Sequence, residues 1–335
     1  MTSFDTHLNK AREGAVFTTE EMAEAIHALM KGDASTDQTA LFLLSLARRG
    51  ETADEIAGAA KTLRSLASTI KSPEGAIDCC GTGGDGANTY NISTAVALAA
   101  AGCGVPVAKH GNRSASSKSG AADVLEKLGV TLDLPHDKLE QALNTLNFCF
   151  LMAPNHHKAM KSVAEARKGL GMRSIFNLLG PLANPANTKK QLIGVYDAKW
   201  LCPMAEALKS LGSEKAMIVH GQDGLDEITL CANTSAVILE KGEISERILT
   251  PADFGLGFIM PDFIRGGDVE KNADALQSLL EGKKSAYRDV VLANTAAVLW
   301  IHDGRDFKQG VKDAEEAIDS GKALDILEKY KTIKP

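Results

Sequence analysis

A short apolar run, Ala76 to Cys80, feeds directly into Gly81-Thr82-Gly83-Gly84-Asp85-Gly86, and a small-residue helix follows Asn91-Ile92-Ser93-Thr94. This is a strand, a tight loop and a helix start in close succession, a unit found in layered α/β folds. Four glycines among six residues let the backbone approach a ligand with no Cβ in the way. A helix N-terminus just beyond offers free amide donors and positive dipole, which suits a phosphate. Asp85 is the odd member. A carboxylate in a phosphate loop repels the ligand unless a cation or a hydroxyl-rich group lies between them.

The same letters satisfy G-x-G-x-x-G, but a dinucleotide site needs an acid about 20 residues on to hold a ribose. That stretch reads Val105-Pro106-Val107-Ala108-Lys109 and contains none. No Gly-Lys-Ser/Thr follows at P-loop spacing either. A plain glycine-rich turn is the remaining alternative for the loop taken alone.

The chain has 335 residues, enough for two domains or one large α/β unit. Its net charge of −6 argues against a general nucleic-acid binder. Six cysteines, at 79, 80, 103, 149, 202 and 231, form no C-x-x-C pair, so reduced thiols in a cytoplasmic protein are expected, with no thiolate metal site. Met1 to Gly14 is polar and lacks the apolar core of a leader. The stretch Ala95 to Ala108 is too short and too interrupted to span a bilayer. No membrane association is expected.

Before Ile77 only helical patterns appear. Thr18 with Glu21 and Thr52 with Glu55 have capping-box spacing, and a further helix is predicted from about Thr39 to Arg49. Leu41-Phe42-Leu43-Leu44 is either one fully buried helix face or an oligomer surface. Beyond residue 76 the texture alternates. Strands are predicted at 76–80, 105–109, 148–152, 191–196, 216–220 and 235–240, with helices between most of them, so a mainly parallel sheet is expected. Lys241-Gly242 reads as a hairpin turn. Helices are predicted at 269–281, 287–301 and 308–330, and one long basic helix from Pro154 to Gly171. The expected division is a helical domain over 1–72, joined by a segment near 156–180, and an α/β domain over 73–335.

Four segments carry chemistry. The glycine loop with Asp85 is the first. Asn91 to Thr94 is the second, either simple helix capping or donors for phosphate and a hydroxyl for Mg²⁺. The third, Lys109 to Gly120, has three cations and four serines. It follows a strand, at the sheet edge where open α/β sheets bind ligands. The fourth, His220 to Glu227, carries Asp226-Glu227 as either an acidic turn with a helix cap or a Mg²⁺ site. A basic cradle and an acidic pair together fit pyrophosphate with Mg²⁺. Arg167 is the candidate for gripping a substrate carboxylate. His156 and His157 are adjacent and point apart, so no shared zinc ion is expected.

Gly81-Thr82-Gly83-Gly84-Asp85, Asn91-Ile92-Ser93-Thr94, Lys109-His110-Gly111-Asn112-Arg113 and Ser119 to Glu126 resemble the anthranilate phosphoribosyltransferase family. Arg167-Lys168-Gly169-Leu170-Gly171-Met172-Arg173, Phe176 to Pro185 and Asp226-Glu227 match the same family, so the resemblance spans nearly the whole chain. It implies a small α-helical domain plus a large α/β domain, of the type shared with pyrimidine nucleoside phosphorylases. It implies a homodimer through the N-terminal helices, with phosphoribosyl pyrophosphate (PRPP) and anthranilate as substrates. The implied PRPP contacts are Gly81, Gly84, Asp85, Thr89, Asn91, Ile92, Ser93, Thr94, Lys109, His110, Gly111, Asn112, Arg113, Ser114, Ala115, Ser116, Ser117 and Ala121. Lys109 would act electrostatically, with no acid–base residue. Gly81, His110, Asn112 and Arg167 would meet anthranilate, and Ser93, Asp226 and Glu227 would bind Mg²⁺, two ions per subunit. Ala121, Lys158 and Ser174 depart from the family pattern. A pyrimidine nucleoside phosphorylase and a nucleic-acid-binding relative remain alternatives.

Overall fold

The computed structural model describes residues 3–114 and 118–335. Four helices come first: α1 (Ser3–Arg12), α2 (Thr19–Lys31), α3 (Thr36–Arg49) and α4 (Ala53–Leu66). Capping boxes at Thr18 and Thr52 start α2 and α4 as expected. A third box, Ser35 with Gln38, starts α3 at Thr36, three residues before the expected start. Phe4 and Phe17 meet Phe42 edge-on at 5.4 and 5.8 Å, which locks α1 and the α1–α2 loop onto α3.

The α/β part runs β1 (Ile77–Gly81), α5 (Ile92–Gly102), β2 (Val107–Gly111), α6 (Ala121–Lys127), α7 (His136–Leu146) and β3 (Phe148–Met152). Then come α8 (Ala153–His156), α9 (Lys161–Leu170), α10 (Phe176–Leu179), β4 (Lys190–Gly194), α11 (Leu201–Ser210) and β5 (Lys215–Gly221). The chain closes with β6 (Thr234–Glu240), β7 (Glu243–Leu249), α12 (Val269–Leu280), α13 (Ala286–Asp303), α14 (Phe307–Asp319) and α15 (Lys322–Lys331). The sheet order is β3-β2-β1-β4-β5-β6-β7. The first five strands in that order are parallel, and β6 and β7 add antiparallel.

Side chains alternate across this sheet with period two. Leu192, Met217, Val219 and Ile238 join the core formed with α5 and α12 to α15. Ile193, Val195, Ile218 and Leu239 join the core formed with α11 and the N-terminal helices. Val163, Ile175 and Phe176 belong to that second core, so the 156–180 region packs with the helical bundle.

Three expectations need correction. The helix expected over 154–171 is broken: α8 ends at His156, His157 has φ −117 and ψ 59, and α9 begins at Lys161. His156 bonds the Ser68 carbonyl at 2.6 Å while His157 packs against His110, and the two pulls take the backbone out of helix. The helix expected over 308–330 stops at Ser320, because Gly321 adopts φ 78. Strand β7 was not among the expected strands. Only Leu249 is buried on it, so no apolar alternation marks it. Lys241 (φ 51) and Gly242 (φ 79) form the tight hairpin turn that carries the chain into it.

The order of crossover reverses between β1 and β4, and ligands bind at the carboxyl ends of strands flanking such a switch point. Gly81 ends β1, Gly194 ends β4, and the two are paired. A Cβ on Gly194 would lie 1.5 Å from the Asp226 carbonyl oxygen, and one on Gly81 would lie 2.2 Å from Asp226 Oδ2. Gly194→Ala is therefore expected to destabilise the fold by about 1–3 kcal/mol. Gly257→Ala, where a Cβ meets nothing within 4 Å, should stay within about 0.5 kcal/mol of wild type in the same urea titration.

Candidate active site

Asp226 holds the glycine loop over the switch point. Its Oδ2 accepts the Gly83 amide at 2.7 Å, and its own amide faces Asp85 Oδ2 at 3.5 Å. The helix cap that was the alternative reading of Asp226 does not form, since the segment after β5 is irregular. Asp223 instead serves the turn, accepting from Thr229 Oγ1 at 2.7 Å, and His220 donates to the Val195 carbonyl at 2.7 Å.

The loop walls a polar cavity of about 540 Å³. Gly81, Gly84, Asp85, Thr89, Asn91, Ile92 and Ser93 line it, as do Asp226 and Glu227. Asn91 begins α5 without capping it. Its side chain instead bonds Ser119 and Asn272. The first amides of α5 are taken up within the chain, that of Ile92 by the Tyr90 carbonyl at 2.9 Å and that of Ser93 by Glu227.

Lys109 is 1% exposed and does not line the cavity. Its Nζ donates to the Cys79 carbonyl at 2.8 Å and lies 3.1 Å from Ser93 Oγ. Ser93 in turn bonds Glu227. Lys109 therefore acts from below, through Ser93 and Glu227, rather than as an exposed cradle. Burial pushes Glu227 up to about 7, with Lys109 and the Ser93 bonds opposing and Asp85 adding to the rise. Burial likewise raises Asp226 well above the carboxylate range, helped by Asp85 and Glu227. This excess of buried negative charge fits a divalent cation, for which Asp85, Asp226, Glu227 and the Ser93 hydroxyl are the available oxygen donors. Among the described residues no three His, Cys, Asp or Glu side chains converge as a closed metal site. An ion here would complete its shell with phosphate oxygens and water.

A second, largely apolar cavity of about 340 Å³ is lined by His110, Asn112 and Arg167 among Leu63, Met160, Phe176 and Leu179. Gly81 lines the polar cavity and not this one. Arg167 lies over the Phe176 ring at 5.2 Å. His156 points elsewhere and stacks on His136 at 5.3 Å.

Several expected contacts fall outside both cavities. Thr94 is buried beneath the polar one. Arg113 pairs with Asp123 and Glu126 at 3.0 and 2.7 Å, and the Ser114 amide bonds Asp123 at 3.1 Å. Gly111 and Ala121 pack together against Phe150, where a Cβ on Gly111 would lie 2.6 Å from that ring. Ala115, Ser116 and Ser117 lie outside the described residues. Conversely, Tyr90, Lys118, Arg265, Gly266, Gly267 and Asn272 line the polar cavity. A cation followed by two glycines at Arg265-Gly266-Gly267 was the available sequence signal. Arg173 donates to the Gly84 carbonyl and lies over Tyr196, which anchors the loop from the side of the helical domain.

Between about pH 4.5 and 7 the folded chain keeps a proton on Glu227 that the unfolded chain has lost. Stability without metal should fall as pH rises through that window, by up to roughly 3 kcal/mol from this group. Glu227→Gln should flatten the slope of urea midpoints measured at pH 5, 6 and 7. An unchanged slope would exclude Glu227 as its source.

Comparison with known proteins accords with this geometry. Residues 73–324 match the model described as glycosyl transferase family, a/b domain, and residues 6–67 match the helical bundle domain of the same family. An anthranilate phosphoribosyltransferase of Azospirillum brasilense is 49% identical over 329 residues, 98% of this chain and 92% of that protein. The Thermus thermophilus enzyme superposes with a TM-score of 0.91 at 41% identity, covering 97% and 98% of the two chains. The Saccharomyces cerevisiae enzyme in complex with PRPP and Mg gives 0.88 at 30% identity, covering 98% and 96%. With similarity of sequence and fold that spans nearly the whole chain, the chain belongs to the anthranilate phosphoribosyltransferase family.

Proposed function

We propose that the polar cavity holds PRPP and the apolar cavity anthranilate, so that the phosphoribosyl group passes from one to the other. The products are N-(5-phosphoribosyl)anthranilate and pyrophosphate, within tryptophan biosynthesis. The observation that carries this division is on β2. Lys109 and His110 are consecutive and so point to opposite faces, one toward Ser93 and the polar cavity and the other into the apolar cavity. Yeast family members in complex with PRPP and Mg and with 4-fluoroanthranilate support the choice of ligands.

The C1–oxygen bond to pyrophosphate breaks with its electron pair left on pyrophosphate. The anthranilate nitrogen lone pair forms the bond to C1, and the nitrogen then gives up a proton to the departing pyrophosphate or to water. Magnesium, two ions in this reading, supplies neutralisation of the leaving group's charge. The chain's own part is to hold Ser93 and Glu227 in register from Lys109 and to fix the ring by its carboxylate at Arg167. The aniline nitrogen is neutral near pH 7, so positioning matters more than a strong base.

The direct test is loss of anthranilate fluorescence on adding PRPP and Mg²⁺ to the full chain; no loss would refute the reaction. Arg167→Ala removes a charge-assisted contact of about 1.5–3 kcal/mol. The anthranilate KM should rise roughly 10- to 100-fold while the PRPP KM moves little. Equal effects on both would sink the assignment.

The subunit is assigned to a homodimer through the N-terminal helices, supported by Val16 and Leu41 at 54% and 39% exposure. Leu41→Lys should shift the mass measured by light scattering from dimer toward monomer; an unchanged mass would place the interface elsewhere. A cytoplasmic site of action is supported by six free thiols. Among the described residues, no helix is long and apolar enough to cross a membrane.

A further inference from the structure

Helix α13 lies outside the lining of both cavities, yet two of its side chains reach the segments that carry the candidate cation donors. The first is Asn294. Its Oδ1 accepts the Ile228 amide at 3.0 Å, and its Nδ2 donates to the Ile228 carbonyl at 2.8 Å. Ile228 directly follows Asp226-Glu227 in the chain. The second is Tyr287, whose hydroxyl donates to the Asn91 carbonyl at 3.0 Å. Asn91 stands two residues before Ser93. A separation of seven residues is close to two helical turns, so both side chains leave one face of α13, about 10 Å apart along its axis.

Asparagine is a poor residue for a helix interior, because its amide competes for main-chain groups. Here that competition is used. Asn294 Nδ2 also bonds the Val290 carbonyl one turn back at 2.9 Å, which fixes the side chain against its own helix. A side-chain amide carries a donor and an acceptor as a peptide group does, so Asn294 meets Ile228 as a neighbouring strand would. Two bonds to one residue fix its position and its rotation, where one bond would leave rotation free. The segment needs such a tie. It lies outside any helix or strand, and Asp226 is packed among the like charges of Asp85 and Glu227, which push the acids apart. Its outer end is held by Thr229, which bonds Asp223 and Thr234. The end beside the acids is held by Asn294. Helix α13 is a firm base for this, because Ser285 caps its first turn and its buried face shares a core with α5.

We infer that Asn294, with Tyr287 two turns away, is a positioning residue that sets the spacing of Glu227 and Ser93 for a divalent cation and makes the site select Mg²⁺ over the larger Ca²⁺. The inference rests on Asp85, Asp226, Glu227 and Ser93 as the cation's oxygen donors, and goes beyond that reading by naming what fixes their spacing. Mg²⁺ tolerates little displacement of its oxygens, whereas Ca²⁺ accepts longer bonds and varied geometry. Donors held at fixed spacing therefore favour the small ion, and slack donors lose that preference. Neither side chain of α13 touches substrate. Both act through the main chain of the segments they hold.

The test titrates Mg²⁺ and Ca²⁺ separately into the full chain by calorimetry, with PRPP present and anthranilate absent, and subtracts the protein-free PRPP titrations. Wild type should bind Mg²⁺ roughly tenfold or more tighter than Ca²⁺. Asn294→Leu, similar in size, should weaken Mg²⁺ about tenfold and Ca²⁺ by less than about threefold. Thr295→Val removes the neighbouring buried hydroxyl, which has no partner among the described residues, and should leave both ions within about twofold. Should Asn294→Leu fail to fold by its thermal midpoint, Tyr287→Phe keeps the ring, removes only the hydroxyl, and should lower the Mg²⁺ preference by about threefold. Equal weakening of both ions, no change in either, or wild type without a preference for Mg²⁺ would overturn the inference alone. Wild type binding neither ion would instead overturn the cation reading of the acids, and the inference with it.

Discussion

The site depends on one seating: Asp226 lies in the crevice between the ends of β1 and β4, where Gly81 and Gly194 leave room for it. From there its carboxylate takes the Gly83 amide and draws the glycine loop down over the sheet. The seat is costly for a carboxylate, because it is removed from water and faces Asp85 and Glu227. A fold that gathers three acids, with Lys109 offsetting them from below, has a local electrostatic imbalance that a divalent cation with a polyphosphate would relieve. Storing that imbalance at the ligand site is consistent with a cavity made to be completed by its substrate.

The second organising constraint is the pleat of β2. Because neighbouring side chains on a strand face opposite ways, two consecutive residues serve two different cavities. Buried Asp78 on β1 steadies this arrangement. It accepts the His110 amide at 3.2 Å and the Asn184 side chain at 2.7 Å, and Asn184 also bonds the Ala108 carbonyl at 2.8 Å. The segment that contributes Asn184 also supplies the Gly180 and Ala183 carbonyls that set the tautomers of His110 and His157. The rigidity of the polar cavity and the chemistry of the apolar one thus share a single buried polar network.

Much of this was legible in the chain. Period-two apolar runs and glycine breaks placed six of the strands within two residues, and capping boxes located α2 and α4. The glycine loop, Asn91 to Ser93 and the acidic pair were each marked by residue type in a strand-to-loop setting, and Arg167 by its charge on a basic helix. Misreadings came where tertiary contacts outweigh local pattern. His157 leaves helix because two neighbours claim adjacent imidazoles. Strand β7 is an edge strand with a polar sequence and so lacks the alternation that reveals strands. Arg113, expected in the phosphate cradle from composition, pairs with two carboxylates ten and thirteen residues later, a pairing that no local pattern announces.

The sequence by itself determined the order of elements, the parallel sheet and the set of groups able to meet phosphate, metal and a carboxylate, because these follow from periodicity, glycine placement and side-chain chemistry. Only the tertiary structure decided which groups share a cavity and in what state. Lys109 proved to be a buried brace and not an open cradle, since its strand position turns it inward. Gly194 proved as necessary to the site as the glycine loop, since only the pairing of β1 with β4 brings it under Asp226. The glycine loop itself began as a local pattern, and its shape over the sheet depends on a carboxylate 143 residues away in sequence.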